Sequence, residues 1–307
     1  MIEILLDNNT AGDPMSLRKW LRISTYTNRE EMQTQNKAIS PNTVGKMLKK
    51  MGYSLKSNKK EIAATQHPDR NQQFEIITQK RGQFERLRQP TISVDAKKKE
   101  LIGNFKNPGK TYCKQAEKVY DHDFPSQAIG KANPYGIYEL LLNMGAVVVG
   151  TSYDTPEFAV EAIQMWLINS GFKHYENFKE LLILCDTGGS NSCRSRVWKY
   201  GLYQLICRQF NIAVTVCHYP TGASKWNPVE HRLFSYISKN WAGLPLRSYD
   251  YMLKYIQNTT TKTGLKIESF LNVKEYQKAV KIPDKHFNQI NIKYHELLPQ
   301  WNYTIYP

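Results

Sequence analysis

Leu181-Leu182-Ile183-Leu184-Cys185-Asp186-Thr187-Gly188-Gly189-Ser190-Asn191 is the stretch on which the reading of the fold turns. Five apolar residues closed by an acid and a glycine pair describe a buried central strand. Its last side chain emerges at the sheet edge, just ahead of a helix. Open α/β sheets place their chemistry at such strand ends.

Outward from that strand, other elements follow from pattern. Thr91 to Ala96 alternates Ile92 and Val94 against Asp95, which puts the acid on the opposite face of a short strand. Tyr135–Leu142 and Ala146–Ser152 are two apolar runs joined by Asn143-Met144-Gly145, a hairpin signal. Thr155-Pro156-Glu157 starts a helix with a stripe at Val160, Ile163, Trp166 and Leu167. A helix over 192–210, a strand over 212–218 and a helix opening at Asn227-Pro228 and running to about Asn240 come after the central strand. The order is strand, hairpin, helix, strand, helix, strand, helix. It predicts an α/β, ribonuclease H-like mixed sheet flanked by helices. Residues 104–133 read as irregular and 272–307 as an appendage wrapped on the core.

Upstream, residues 69–88 predict a helix with Phe74, Ile77, Phe84 and Leu87 on one face, ended by Pro90. Residues 14–62 carry eleven Lys or Arg against three Glu, so about half of the chain's formal +15 charge lies there. Within that stretch, Ser40-Pro41 opens a helix whose apolar residues are Val44, Met47, Leu48 and Met51. Lys46, Lys49 and Lys50 fall off that stripe, where a DNA-reading helix needs its cations. The expected division is a basic helix-turn-helix or winged-helix region at 1–62, a connecting helix at 63–90, a catalytic domain at 91–271 and the appendage at 272–307.

Charge and composition narrow the function. A pI near 9.4 points to a polyanionic partner, double-stranded DNA above others. Five cysteines with no CxxC pair give neither a disulfide framework nor a zinc ribbon, which fits a reducing cytoplasm. No run approaches 18 apolar residues, so no membrane partner is expected.

Asp95, Asp186 and Glu230 are the candidate chemical residues. The first two end apolar strands, where an unpaired acid is costly unless a cation compensates it. Glu230 lies in the first turn of its helix, where simple complementation of the helix dipole is the competing explanation. Cutting a phosphodiester in line requires neutralising charge on the entering and leaving oxygens, which a pair of Mg2+ ions can do with only a few carboxylates. Mn2+ can take the place of Mg2+. Asp154, beside a helix start, and Asp121-His122-Asp123, in a loop, are the competing acid groups. Lys97, Lys98, Arg194, Arg196, Lys225 and Lys239 are candidate phosphate contacts, and His231, next to Glu230, is a candidate to touch the scissile phosphate or a metal-bound water.

Several stretches also resemble a known family, the Rhodopirellula-type DDE transposases of bacterial insertion sequences. They are SVDAKKKELIGNFKN (93–107), HDFP (122–125), NPYGIYEL (133–140), the turn 186–191, TVCHYPTGASKWNPVEHRLFSYISKNW (215–241), TTTKTGL (259–265) and the terminal WNYTI. The similarity runs from about residue 12 to the end. It implies a ribonuclease H-like catalytic domain with Asp95, Asp186 and Glu230 in the family's three carboxylate positions. It also implies metal-dependent cleavage at the ends of an insertion sequence, transfer of the freed 3′-hydroxyl to target DNA, a homo-oligomer on DNA and a nucleoid-associated location in the bacterial cytoplasm. Thr187 stands where the family commonly has Gly. Family members usually carry a further N-terminal helix-turn-helix region, after which this chain is expected to begin. The alternatives are a truncated remnant that only binds DNA and a nuclease without strand transfer. The absence of a GxxxxGK[ST] loop agrees with chemistry that needs no nucleotide cofactor.

Overall fold

The computed structural model describes residues 10–12, 19–21, 24–34, 38–55, 67–223 and 226–307. Contacts divide the chain into one unit at Met1–Ile62 and a second at Ala63–Pro307.

In the first unit, strands β1 (Thr10–Gly12) and β2 (Lys19–Leu21) pair antiparallel. Helices α1 (Thr25–Thr34) and α2 (Pro41–Lys50) contact each other. The Ser40 hydroxyl accepts from Thr43 N at 3.1 Å, and Pro41 occupies the first turn, which is the start the sequence predicts. Val44 is buried while Lys46, Lys49 and Lys50 are exposed. The expected helix-turn-helix region at 1–62 also includes 1–9, 13–18, 22–23, 35–37 and 56–62, which lie outside the described residues.

The second unit is built on one mixed sheet. Its strands are β3 (Thr91–Ala96), β4 (Glu100–Ile102), β5 (Gly130–Glu139), β6 (Met144–Gly150), β7 (Glu180–Cys185), β8 (Ala213–His218), β9 (Lys266–Asn272), β10 (Ile292–Tyr294) and β11 (Asn302–Ile305). The order is β10-β11-β8-β7-β3-β5-β6-β9, with β4 alongside β5. Strands β3, β7 and β8 run parallel, and β5 is antiparallel to both β3 and β6. The five strands β6-β5-β3-β7-β8 therefore form the mixed sheet expected from the sequence.

Helices cover both faces. On one face, Ile92, Val94, Ile183, Val214 and Val216 pack with residues of α4 (Pro156–Trp166) and α5 (Arg196–Leu202), including Phe158, Ile163, Trp198 and Leu202. On the other, α3 (Arg70–Arg86) sets Ile77 and Phe84 against Leu182 and Leu184. Beside it, a helix that opens as a π turn at Glu230–Phe234 and continues as α6 (Ser235–Asn240) packs Leu233, Phe234 and Ile237 over Tyr138, Val147 and Val149. Each large apolar side chain buried this way contributes about 1.5–3 kcal/mol.

Three boundaries differ from the sequence reading. Strand β5 starts at Gly130 within the supposedly irregular 104–133, because its first residues pair with β4. The hairpin turn falls at Leu140–Asn143, ahead of the expected Asn143-Met144-Gly145: the Glu139 carboxylate accepts from Leu141 N at 3.1 Å and also from Leu142 N, and Asn143 takes the left-handed conformation at φ 53°. The 272–307 stretch supplies β10 and β11, and β11 pairs with β8 while Tyr303 and Ile305 lie fully buried. It is part of the sheet, because its alternating Tyr303 and Ile305 fill the same core as Val214 and Val216.

Candidate functional site

The site grows from strand register. Strands β3 and β7 are parallel neighbours, and their last pair is Val94 with Cys185. One residue further along, Asp95 and Asp186 leave adjacent strands side by side. Strands so paired lie about 4.8 Å apart, and pleat alternation puts both carboxylates on the face opposite Val94 and Cys185.

Glu230 comes from the helix that lies over that face, and its charge acts on both aspartates. Across β3, Asp95 pairs with Gly136 of β5. A Cβ added at Gly136 would lie 2.5 Å from the Phe234 ring and 3.0 Å from Val229 Cγ2, and one at Gly145 would lie 2.5 Å from Leu233 Cδ1. The helix carrying Glu230 thus rests on bare backbone at two glycines, and one of them is Asp95's own partner. Hydrogen bonds fix its start. Val229 N donates to Ser93 Oγ at 3.2 Å, Ser93 Oγ donates to Asn227 Oδ1, and Asn227 Nδ2 donates to Asp186 Oδ1 at 3.3 Å. Both Ser93 and Asn227 are completely buried.

Electrostatics report the convergence. Burial, then the Asp186 charge, raises the Asp95 carboxyl from 3.8 to about 8, and Glu230 and Asp154 add to the rise while the Ala96 N–H opposes it. Burial raises Asp186 to about 6, opposed by Asn227 and helped by Glu230. Like charges held together in a half-buried place disfavour ionisation unless a cation joins them.

Among the described residues no group of three or more His, Cys, Asp or Glu side chains is arranged to cage a metal ion. The donor set nevertheless suits Mg2+, which is held by one or two carboxylates and otherwise keeps its waters. Asp95 and Asp186 supply those hard oxygens, and Glu230 is the third acid within their field.

Other predicted residues are placed differently. Lys97 Nζ sits 2.5 Å from Glu100 Oε1 and 5.0 Å from the Trp241 ring centre, so its ammonium is already engaged. Arg196 pairs with Asp284 and stacks over Phe287 at 4.8 Å. Lys98, Arg194 and His231 are exposed, and Lys239 is exposed with its Nζ 5.3 Å from the Tyr236 ring. Lys225 lies outside the described residues. The Asp121-His122-Asp123 loop is exposed.

Three side chains around the site, Ser93, Asn227 and His218, escape the sequence reading as site residues, and a fourth, Asp154, stands there only as a competing acid. Ser93 could have been found, since it shares a strand face with Asp95 two residues away. Asn227 was read only as part of a helix start. Asp154, assigned to the start of α4, lies close enough to act on Asp95, and burial raises its own pKa. His218 ends β8 fully buried, and burial pushes it down to about 4, so it is neutral.

A family model described as the Rhodopirellula transposase DDE domain matches residues 1–307. The chain belongs to that family. Among solved structures, the Mos1 transposase paired-end complex with left transposon end matches with a TM-score of 0.43 at 14% identity, over 83% of this chain and 68% of that one. A pre-cleavage Mos1 transpososome gives 0.44 at 12%, and the Mos1 mariner paired-end complex with Mn gives 0.43 at 14%, each with the same coverage. No curated protein matches the sequence. No helix among the described residues is long and apolar enough to cross a membrane.

Proposed function

We propose that this transposase cleaves one DNA strand at each end of an insertion sequence and joins the resulting 3′-hydroxyl to target DNA, with Asp95, Asp186 and Glu230 as its catalytic carboxylates. The observation that carries the reading is the pair Asp95 and Asp186, level on adjacent parallel strands, with the Asp186 charge raising the Asp95 carboxyl and Glu230 adding to the rise of both. Two Mg2+ ions, or Mn2+ in their place, would supply Lewis-acid stabilisation of the entering and leaving oxygens.

The chain's own residues do the rest. Asp95, Asp186 and Glu230 would supply the carboxylate oxygens that hold the ions. Asn227 holds the Asp186 carboxylate through Oδ1, and the Ala96 N–H holds Asp95 Oδ1 at 2.8 Å. Hydrolysis of the first phosphodiester leaves a 3′-hydroxyl, and that hydroxyl displaces a target phosphodiester one bond for one, so no nucleotide is consumed. Lys46, Lys49 and Lys50, exposed along α2, contact the duplex, and the exposed Lys98, Arg194, Lys239 and His231 add further contacts. The protein works as a homo-oligomer on DNA, because two ends must be cut and joined together.

The test is direct. A duplex carrying the DNA that flanks the coding frame, incubated with the protein and Mg2+, yields a nicked strand and then a joined product, and the Asp186→Asn variant yields neither while unfolding like the wild type. Binding with no Mg2+-dependent nicking would mark a DNA-binding remnant, and nicking with no joined product a nuclease.

A further inference from the structure

Behind Asp186 runs a polar chain that the chemistry above does not use. His218 Nδ1 lies 2.9 Å from the Asp186 carbonyl oxygen, and His218 Nε2 lies 3.1 Å from the Tyr303 hydroxyl. Trp198 Nε1 lies 3.0 Å from that same hydroxyl. Trp198, His218 and Tyr303 are all 0% exposed. They come from three elements far apart in sequence: α5, β8 and the last strand, β11.

The hydrogens in this chain can be assigned by elimination. A carbonyl oxygen only accepts, so His218 Nδ1 carries a hydrogen. An indole N–H only donates, so the Tyr303 oxygen accepts from Trp198. The Tyr303 hydroxyl hydrogen then goes to Nε2, leaving that nitrogen as an acceptor. Every donor points the same way, from Trp198 to Tyr303 to His218 to Asp186. Cys185 Sγ, 3.3 Å from Nδ1, completes the pocket.

The place where the chain ends matters. The ladder between β7 and β8 closes with Tyr219 N donating to Cys185 O at 2.8 Å. The Asp186 carbonyl is the next one along, already past that bond. Among the described residues no main-chain bond holds that carbonyl, and the His218 side chain does. His218 is itself anchored, since Gln73 Nε2 donates to its carbonyl at 2.8 Å and to Asn302 Oδ1 at 2.9 Å.

We propose that His218, Tyr303 and Trp198 are positioning residues that lock the backbone of Asp186 and so aim its carboxylate for divalent-cation binding. The proposal rests on the reading of Asp186 as a ligand. It gives the C-terminal strand a part in the site, because Tyr303 fixes which nitrogen of His218 bears the hydrogen. In metal sites, groups that orient a ligand in this way are worth about 10–100-fold in affinity.

The experiment uses the whole chain and Mn2+ as probe. Long-range 1H–15N spectra of the 15N-His protein are expected to show His218 as the neutral Nδ1–H tautomer, its signal assigned by loss in His218→Asn. Mn2+ titration followed by EPR is expected to give a dissociation constant raised about tenfold or more in Tyr303→Phe and His218→Leu. His218→Asn keeps an N–H at the Nδ1 position and should stay within about threefold of wild type. A merely structural role would lower the melting temperature of all three without separating them in this order. An Nε2–H tautomer in the wild type would overturn the proposal with no variant needed, and so would unchanged Mn2+ affinity in folded Tyr303→Phe and His218→Leu. If Mn2+ binding by the wild type is absent or unaffected by Asp186→Asn, the reading of Asp186 as a ligand falls and takes the proposal with it.

Discussion

Gly136→Ala is the smallest change that tests how the third acid is delivered. The added Cβ would lie 2.5 Å from Phe234 Cε1 and Cζ and 3.0 Å from Val229 Cγ2, on a ring and an isopropyl group that are both buried. Carbon atoms rest at about 3.5–4.0 Å, so the helix over β5 must rise by about 1 Å or the ring must leave its rotamer. Overpacking of this size costs about 1–3 kcal/mol. For a unit this large each kcal/mol lowers the melting temperature by about 2–4 °C, which gives a fall of roughly 2–12 °C. The second effect falls on chemistry, because Val229 and Phe234 flank Glu230: a displacement of about 1 Å is enough to lower the rate roughly 100-fold. Differential scanning fluorimetry reads the first effect, and Mg2+-dependent nicking, measured well below the melting temperature, reads the second. Adding Phe234→Leu to Gly136→Ala removes the clashing ring atoms and should restore part of both. A Gly136→Ala protein that melts and nicks like wild type would show that the glycine does not seat the helix, and the account of how Glu230 reaches Asp95 would be wrong.

Other expectations follow from the same geometry. Mg2+ should raise the melting temperature: at ten times its dissociation constant the gain is about 1.4 kcal/mol, or roughly 3–6 °C, and Asp186→Asn should abolish that gain while leaving the metal-free protein at least as stable. Ser93→Ala leaves the Val229 N–H and Asn227 Oδ1 buried without their partner, so it should cost about 1–3 kcal/mol in urea unfolding; a cost near zero would remove Ser93 from the support of the site. Replacing Lys46, Lys49 and Lys50 with Ala should reduce the slope of log K against log salt by about 2.7 if all three meet phosphates, and an unchanged slope in a filter-binding titration would take α2 out of the interface.

Two of the three acids were legible because a strand shows its period. Asp95 follows Ile92 and Val94 in strict alternation, and Asp186 closes a five-residue apolar run, so each could be placed at a strand end from sequence alone. That the two strands are parallel neighbours in matching register is a long-range fact, and no local pattern encodes it. The C-terminal strand was missed for a related reason. Its Asn302-Tyr303-Thr304-Ile305 alternates over only four residues, and its partner β8 lies more than eighty residues away. Ser93 and Asn227 were unremarkable as sequence because a buried Ser or Asn is distinguished only by its partners, which here are each other and Asp186. Lys97 and Arg196 looked like phosphate contacts by charge, yet Glu100 and Asp284 lie beside them in space.

The arrangement carries a cost that packing alone would not select. A sheet end finished with apolar residues would be more stable than one where Asp95 and Asp186 oppose each other's ionisation, with Glu230 and Asp154 adding to the strain on Asp95. That cost is confined to one end of β3 and β7, directly above strands whose Ile92, Val94, Leu182, Ile183 and Leu184 are completely buried. The firm core lets the strand ends hold like charges close without the register giving way. The helix that carries Glu230 is coupled to the same core through Gly136 and Ser93, so the backbone positions from which the acids project are held by packing. A half-buried acid cluster on anchored backbone is one whose charge a cation readily balances, and this is the physical reason the carboxylates at 95, 186 and 230 are read together as a site.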